Sequence, residues 1–281
     1  MKIITKILKF IVMTIIVLCL TYIGIKNIAF STIFNKEYII KKLDETNFYL
    51  ETYKLVESNF ENYIGQSGLE EEVLKNICTE DKVRKDINII LSNIYDGTKE
   101  QIDTSEIANK LNSNIDEQNV RTAKNDKAID EFVEHICQSY KDTIISTKYD
   151  ETINNQYEKI TQKLGKIYTI IVIILIINMI ILIALNIKDL LKIVLNIQMI
   201  SLATAIMQFI ITITINKNVN ISGIKVFNEA FSTLIVTIMQ DIFSKINKFG
   251  VILLLIYVIS VIIYSIAEKY NKNNNSKIQE E

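Results

Sequence analysis

The chain of 281 residues contains no proline and only seven glycines. Both residues break helix interiors, so this scarcity suits long, uninterrupted helices. A single histidine, His135, excludes metal sites built on histidine pairs within one chain, and any second catalytic histidine. Basic excess is also missing where nucleic acid would need it. Between Lys26 and Lys166 there are 26 acids against 19 bases, a net of −7, and the rest of the chain carries +6. The polar middle is therefore acidic, which argues against nucleic-acid binding. Charge is wholly absent from several long apolar runs.

One of these is Ile167–Ile187, IYTIIVIILIINMIILIALNI. At about 1.5 Å per residue this run of about 21 residues covers about 30 Å, the hydrocarbon thickness of a bilayer. Three more apolar runs accompany it, Phe10–Ile25 after the lysines at 2, 6 and 9, Ile193–Ile215, and Phe249–Ala267. The first is long for a signal peptide and lacks a small-x-small cleavage site, and Leu18 spoils a lipoprotein box at Cys19. It reads as an uncleaved signal anchor.

Residues 27–163 form a polar block with helical apolar spacing throughout. Ile39, Leu43, Leu50, Tyr53, Val56, Phe60 and Tyr63 predict one long helix over 36–64, stopped by Gly65-Gln66-Ser67-Gly68. A short helix from Leu69 to Cys78 follows. Thr79 is placed to cap the helix of Val83, Ile87, Ile90 and Ile94, and Thr104 the helix of Ile107, Leu111 and Ile115. Ile129, Phe132, Val133, Ile136, Tyr140 and Ile144 mark one more. A polar helix over Tyr149–Lys163 is predicted to run straight into the next span. Within 216–248, Ile224, Phe227, Phe231, Leu234, Ile235, Ile238, Ile242 and Ile246 make a stripe expected of an interfacial amphipathic helix.

The expected architecture is an all-α integral membrane protein with four transmembrane helices and a helical extracytoplasmic domain between the first and second. Its parts are a cytoplasmic N-terminus (1–9), spans at 10–26, 167–187, 193–215 and 249–267, the domain at 27–163, the amphipathic loop at 216–248, and a disordered cytoplasmic tail (268–281). Lysines at both termini and at Lys188 and Lys192 place these parts inside under the positive-inside rule.

Few residues suggest chemistry. His135 falls off its helix's apolar stripe and is expected in solvent. Gly65-Gln66-Ser67-Gly68 has Leu69 where a nucleophile elbow needs glycine, and it stands between helices rather than after a strand. Glu70–Glu72 and Glu80-Asp81 suit first helical turns, where acids complement the dipole. Cys78 and Cys137 both lie on apolar stripes, which leaves a disulfide and two buried thiols as alternatives. Asn178, Asn196, Gln198 and Gln208 lie within the spans and are expected to hydrogen-bond between helices or line a polar path. No acid, lysine or arginine lies deep in any span, which counts against ion-coupled transport. No enzymatic constellation, cofactor or metal is expected. The predicted partners are the lipid bilayer and another membrane or envelope protein, with a homo-oligomer also open.

The pattern Gly68-Leu69-x3-Val73-Leu74-x2-Ile77-x-Thr79-x3-Val83-x2-Asp86-Ile87, followed by Ile94-Tyr95-x-Gly97 and Ile102-Asp103, resembles multi-pass membrane proteins of Gram-positive bacteria. In those proteins one span precedes a helical extracytoplasmic block and a cluster of C-terminal spans. The resemblance implies topology and supplies no activity or site. The same order of one span, a large outer domain and three spans is similar to the topology of MacB/FtsX-type ABC permeases, which implies partnership with a cytoplasmic ATPase.

Overall fold

The computed structural model describes residues 2–67, 69–144, 151–225 and 228–279. It is helical, with no strand among the described residues. The elements are α1 (Lys2–Phe30), α2 (Lys36–Glu45), α3 (Phe48–Ser67), a 3-10 turn (Glu71–Leu74), α4 (Glu80–Tyr95), α5 (Ser105–Glu117), α6 (Asp126–Ile144), α7 (Glu151–Ala184), α8 (Leu190–Asn218), a second 3-10 turn (Ile221–Gly223) and α9 (Glu229–Gln279). Two compact units result. One comprises Met1–Thr32, Thr161–Gly223 and Ile238–Glu281; the other comprises Ile33–Ile160 and Ile224–Thr237.

The first unit contains stretches of four helices long and apolar enough to cross a membrane, Ile3–Phe30, Gln156–Ala184, Leu190–Asn218 and Glu229–Asn271. Its burial pattern is that of a bundle in lipid. On α7, Ile170, Ile173, Ile177 and Ile180 recur at threes and fours and are each more than half exposed. In water such a face would cost free energy along its whole length; in hydrocarbon it costs nothing. Inside, Val12 and Ile16 of α1, Leu182 of α7 and Ile200 of α8 form the core. Two glycines permit close helix approach. A Cβ at Gly24 of α1 would overlap the Phe249 ring of α9, and one at Gly250 would lie 3.0 Å from the Phe209 ring of α8. Phe249 and Gly250 are adjacent, so one turn of α9 interlocks with both neighbours.

The second unit is a helical bundle built on fully buried stripes. On α5, Ile107, Leu111 and Ile115 are completely enclosed, at the i, i+4 spacing that puts them on one face. Val56 and Phe60 of α3, Val83 of α4, and Ile136 and Tyr140 of α6 complete the core. Each such side chain contributes about 1.5–3 kcal/mol of transfer free energy. Asn35 caps α2 by accepting from the Tyr38 amide at 2.8 Å, and Thr79 caps α4 by accepting from the Lys82 amide at 3.2 Å.

Several expectations are corrected. The single helix over 36–64 is two, because Thr46 ends α2 and Asn47 takes a left-handed conformation at φ 52°. The helix over 69–78 shrinks to a 3-10 turn, with Asn76 left-handed at φ 58° before the Thr79 cap. Thr104 makes no side-chain cap; Asp103 accepts from the Ser105 amide at 2.8 Å in its place. The stripe of 216–248 does not form a separate interfacial helix. Its early part belongs to the helical domain, where Phe231 packs edge-on against Phe48 with ring centroids 4.9 Å apart and Leu234 is buried. With no proline or glycine from Glu229 to Phe249, nothing stops α9 there. It runs unbroken to Gln279, through much of the tail expected to be unstructured. The polar helix before the second span is continuous with it in α7, of 34 residues; its predicted start at Tyr149 and the stop residue Gly68 lie outside the described residues.

Candidate functional site

The polar residues of the spans concentrate on α8. Gln198, Ser201, Ala205, Gln208 and Thr212 recur at threes and fours and are all buried, with Thr204 beside them. The hydroxyls bond back to their own helix, Ser201 to the Ile197 carbonyl at 2.8 Å, Thr204 to that of Ile200 at 2.8 Å, and Thr212 to that of Gln208 at 3.1 Å. The glutamines reach across. Gln198 donates to the Ser260 carbonyl of α9 at 2.9 Å, and Gln208 approaches the Thr21 carbonyl of α1 at 3.5 Å. Gln208 is wholly enclosed, yet its Oε1 has no partner, nor does the hydroxyl of Thr21.

The other two predicted residues behave differently. Asn178 is buried but donates within its own helix, to the Ile174 carbonyl at 2.8 Å. The Nδ2 of Asn196 is buried without a partner. Of the four, therefore, only Gln198 and Gln208 link helices.

Sequence reasoning missed the ends of α1. Lys9 donates to Asn186 Oδ1, and Asn186 in turn donates to the Leu182 carbonyl at 2.6 Å. At the other end the Lys26 ammonium lies 4.0 Å from the Phe30 ring centroid and 4.2 Å from that of Tyr168, a cation–π clamp between α1 and α7. The available signal was that each lysine bounds an apolar run with an amide or aromatic residue at the matching edge of another.

In the helical domain the notable feature is an enclosed charge network. Asp86 is 1% exposed and accepts from Lys82 one turn earlier at 2.5 Å and from the Tyr140 hydroxyl of α6 at 2.6 Å. Burial, followed by the bond to Asp86, pushes the Tyr140 hydroxyl far above its ordinary value. Cys78 is beside this network, and burial pushes its thiol up to about 12. The disulfide is not formed. Both thiols are free, with the Cys78 sulfur 3.7 Å from the Thr79 carbonyl and the Cys137 sulfur 3.9 Å from that of Thr104. Cys78, buried ahead of α4, and Cys137, half-buried on α6, each face a different helix start, so lying on apolar stripes does not bring them together. A thiol with a raised pKa is a poor nucleophile, since the thiolate is the reactive form. His135 is exposed. Among the described residues no group of three His, Cys, Asp or Glu is placed to hold a metal ion.

A cleft of about 950 Å³ lies in the spanning unit where α8 ends and the apolar part of α9 begins. Its polar wall is Asn216, Asn220, Gln240, Ser244, Asn247 and Lys248. Its apolar wall includes Val219, Phe243, Val251 and Ile252.

No family profile, curated protein or solved structure matches this chain. The arrangement is therefore read from its own chemistry. It offers two intramembrane amide links, one closed ion-pair network and one amphipathic cleft.

Proposed function

We propose that this chain is a non-enzymatic cell-envelope membrane protein whose helical domain binds or senses a partner outside the cell. Both termini and the Leu185–Asp189 link lie on the cytoplasmic side, and α1 acts as the signal anchor. The reading is carried by how the domain uses its charged groups. Its buried carboxylate, Asp86, is committed to Lys82 and Tyr140, so the acidic surface is what remains for recognition. That surface favours a partner with a basic face. The partner is another membrane or envelope protein or a second copy of this chain.

Crosslinking in intact cells followed by purification of the full chain is the test. Reversing exposed acids of α6, Glu131 and Glu134, to lysine is expected to weaken capture of the crosslinked partner while the spans still insert. Unchanged capture, both for these reversals and for a chain lacking residues 30–160, overturns the proposal. Sidedness is tested by single cysteines at Lys127 and Lys188. An impermeant thiol reagent on intact cells is expected to label the first and spare the second, and the opposite pattern places the domain inside.

The second reading, a permease-like subunit of a MacB/FtsX-type complex, is favoured by four long apolar helices with a helical domain inserted after the first. It predicts co-purification of an ATPase that depends on the short link through Lys188 and Lys192.

A further inference from the structure

We propose that the cleft between the end of α8 and the start of the apolar part of α9 seats one anionic phospholipid of the surrounding bilayer. Its phosphate lies against Lys248 and its acyl chain along Val251 and Ile252.

Charge on the chain sets the depth of the cleft. Lys217 is the last charge on α8, and Lys248 is the last on α9 before the uncharged run Phe249–Ala267. These lysines mark the level where hydrocarbon gives way to headgroups, so the cleft opens where phosphates lie. Its two walls match the two parts of a lipid. Val251 and Ile252, about half exposed, point along the hydrocarbon side. On the water side stand Asn216, Gln240 and Asn247, whose amides can donate, with the Lys248 ammonium, and no acid among the described residues lines the cleft. Asn220 Oδ1 is occupied by the Gly223 amide at 3.2 Å, which leaves its NH₂ available as a further donor.

Lys248 is also the cation free to act. Lys245, one turn earlier, is paired with Asp241 at 3.3 Å, whereas Lys248 has no acidic partner among the described residues. An unpaired ammonium among neutral donors selects an anion. Its place above an apolar wall selects an anion with a hydrocarbon tail over free phosphate. The inference rests on α8 and α9 spanning the bilayer and is independent of which side the helical domain occupies.

The chain contains no tryptophan, so one introduced indole reports alone. Full-length Ile252→Trp protein is placed in phosphatidylcholine vesicles with a minor fraction of brominated phosphatidylglycerol, or the same fraction of brominated phosphatidylcholine. Quenching by the glycerol lipid is expected to be favoured by about fivefold, the ratio for one lysine near a headgroup plane worth about 1 kcal/mol. Lys248→Gln is expected to remove the preference, Lys248→Arg to retain it, and Lys245→Gln to leave it unchanged. Ile259→Trp, on the exposed lipid face away from the cleft, is expected to be quenched equally by both lipids.

Equal quenching at Ile252→Trp while Ile259→Trp is quenched overturns the lipid site alone. Preference that survives Lys248→Gln, or falls equally with Lys245→Gln, also overturns it, because the field would then be general. Absence of quenching at both positions overturns the spanning of α9 together with the site.

Discussion

Replacing Lys82 by methionine tests whether the enclosed network of the helical domain is held as the geometry implies. Asp86 is 1% exposed, the Lys82 side chain is 9% exposed, and their charged atoms are 2.5 Å apart. Methionine keeps most of the apolar stem of lysine and removes the ammonium, with its charge and its N–H donors. Asp86 then retains the Tyr140 hydroxyl at 2.6 Å but no countercharge. Breaking a buried pair from one side typically costs about 3–5 kcal/mol, because the remaining ion stays desolvated. A domain with about 5–15 kcal/mol in total loses a large share of its stability. Cys78 supplies the assay, since it is buried in the same neighbourhood and alkylates only when the domain opens. A loss of about 4 kcal/mol raises the open population, and with it the labelling rate of Cys78 in the full-length protein, roughly a thousandfold. Changed thiol reactivity cannot mimic this. The Lys82 charge lowers the Cys78 pKa, so removing it makes the closed-state thiol less reactive, not more. Tyr140→Phe, which removes one hydrogen bond to a charged group, is expected to cost less, about 1.5–3 kcal/mol. Combining Lys82→Met, Asp86→Leu and Tyr140→Phe is expected to recover most of the loss, since no orphaned polar group remains. A labelling rate for Lys82→Met within about threefold of the parent, a difference of well under 1 kcal/mol, refutes the reasoning.

Gly24→Ala is expected to destabilise the spanning bundle by about 1–3 kcal/mol through overlap with Phe249, and Phe249→Leu to relieve it; thermal unfolding in detergent measures both. Gln198→Leu is expected to lose about 0.6–1.7 kcal/mol with its bond to the Ser260 carbonyl, whereas Gln208→Leu, whose Oε1 is unpartnered, should cost less or nothing. Greater damage from the Gln208 substitution than from the Gln198 one contradicts the assignment of links. Alkali should weaken the helical domain. Burial raises Cys78 from 9.0 to about 12 and Tyr49 from 10.0 to about 12, and Tyr140 is raised as well. Groups with raised folded values stabilise fully below their unfolded values, so stability is complete below about pH 9 and declines as pH climbs towards 12. Chemical denaturation across that range should show the decline flattened by Tyr140→Phe, and a rise in stability would contradict the sign.

The spans were legible because an uncharged run of bilayer length has few other readings. The cap at Thr79 was legible because capping is local, needing only a hydroxyl three residues before a free amide. The break at Thr46–Asn47 was not, since Leu43 and Leu50, seven residues apart, fit one continuous stripe in sequence, whereas the structure buries Leu43 with Phe48 and Tyr49 and leaves Leu50 exposed. The stripe of Phe231 and Leu234 was read correctly as apolar, but its partner was not. Periodicity reveals that a face will be covered and says nothing of whether lipid or Phe48 covers it. The same limit applies to the polar residues of the spans. Asn178 and Gln198 are alike in sequence context, and only the neighbouring backbone decides that one bonds to its own helix and the other to Ser260. Cys78 and Cys137 both read as members of apolar stripes, yet pairing depends on where the two segments meet. The amphipathic cleft joins residues on either side of the Ile221–Gly223 turn, so no single window of sequence contains it.

The two lysines of α1 also act as a length gauge. Lys9 and Lys26 are 17 positions apart, about 26 Å along a helix, and each has a seat outside α1, Asn186 at one end and the Tyr168 ring at the other. An axial slide of one turn, about 5.4 Å, unseats both at once. This helix is stapled at both membrane surfaces and is unsuited to piston movement. A bilayer much thicker than the gauge must thin around it, which disposes the protein towards the thinner regions of a membrane.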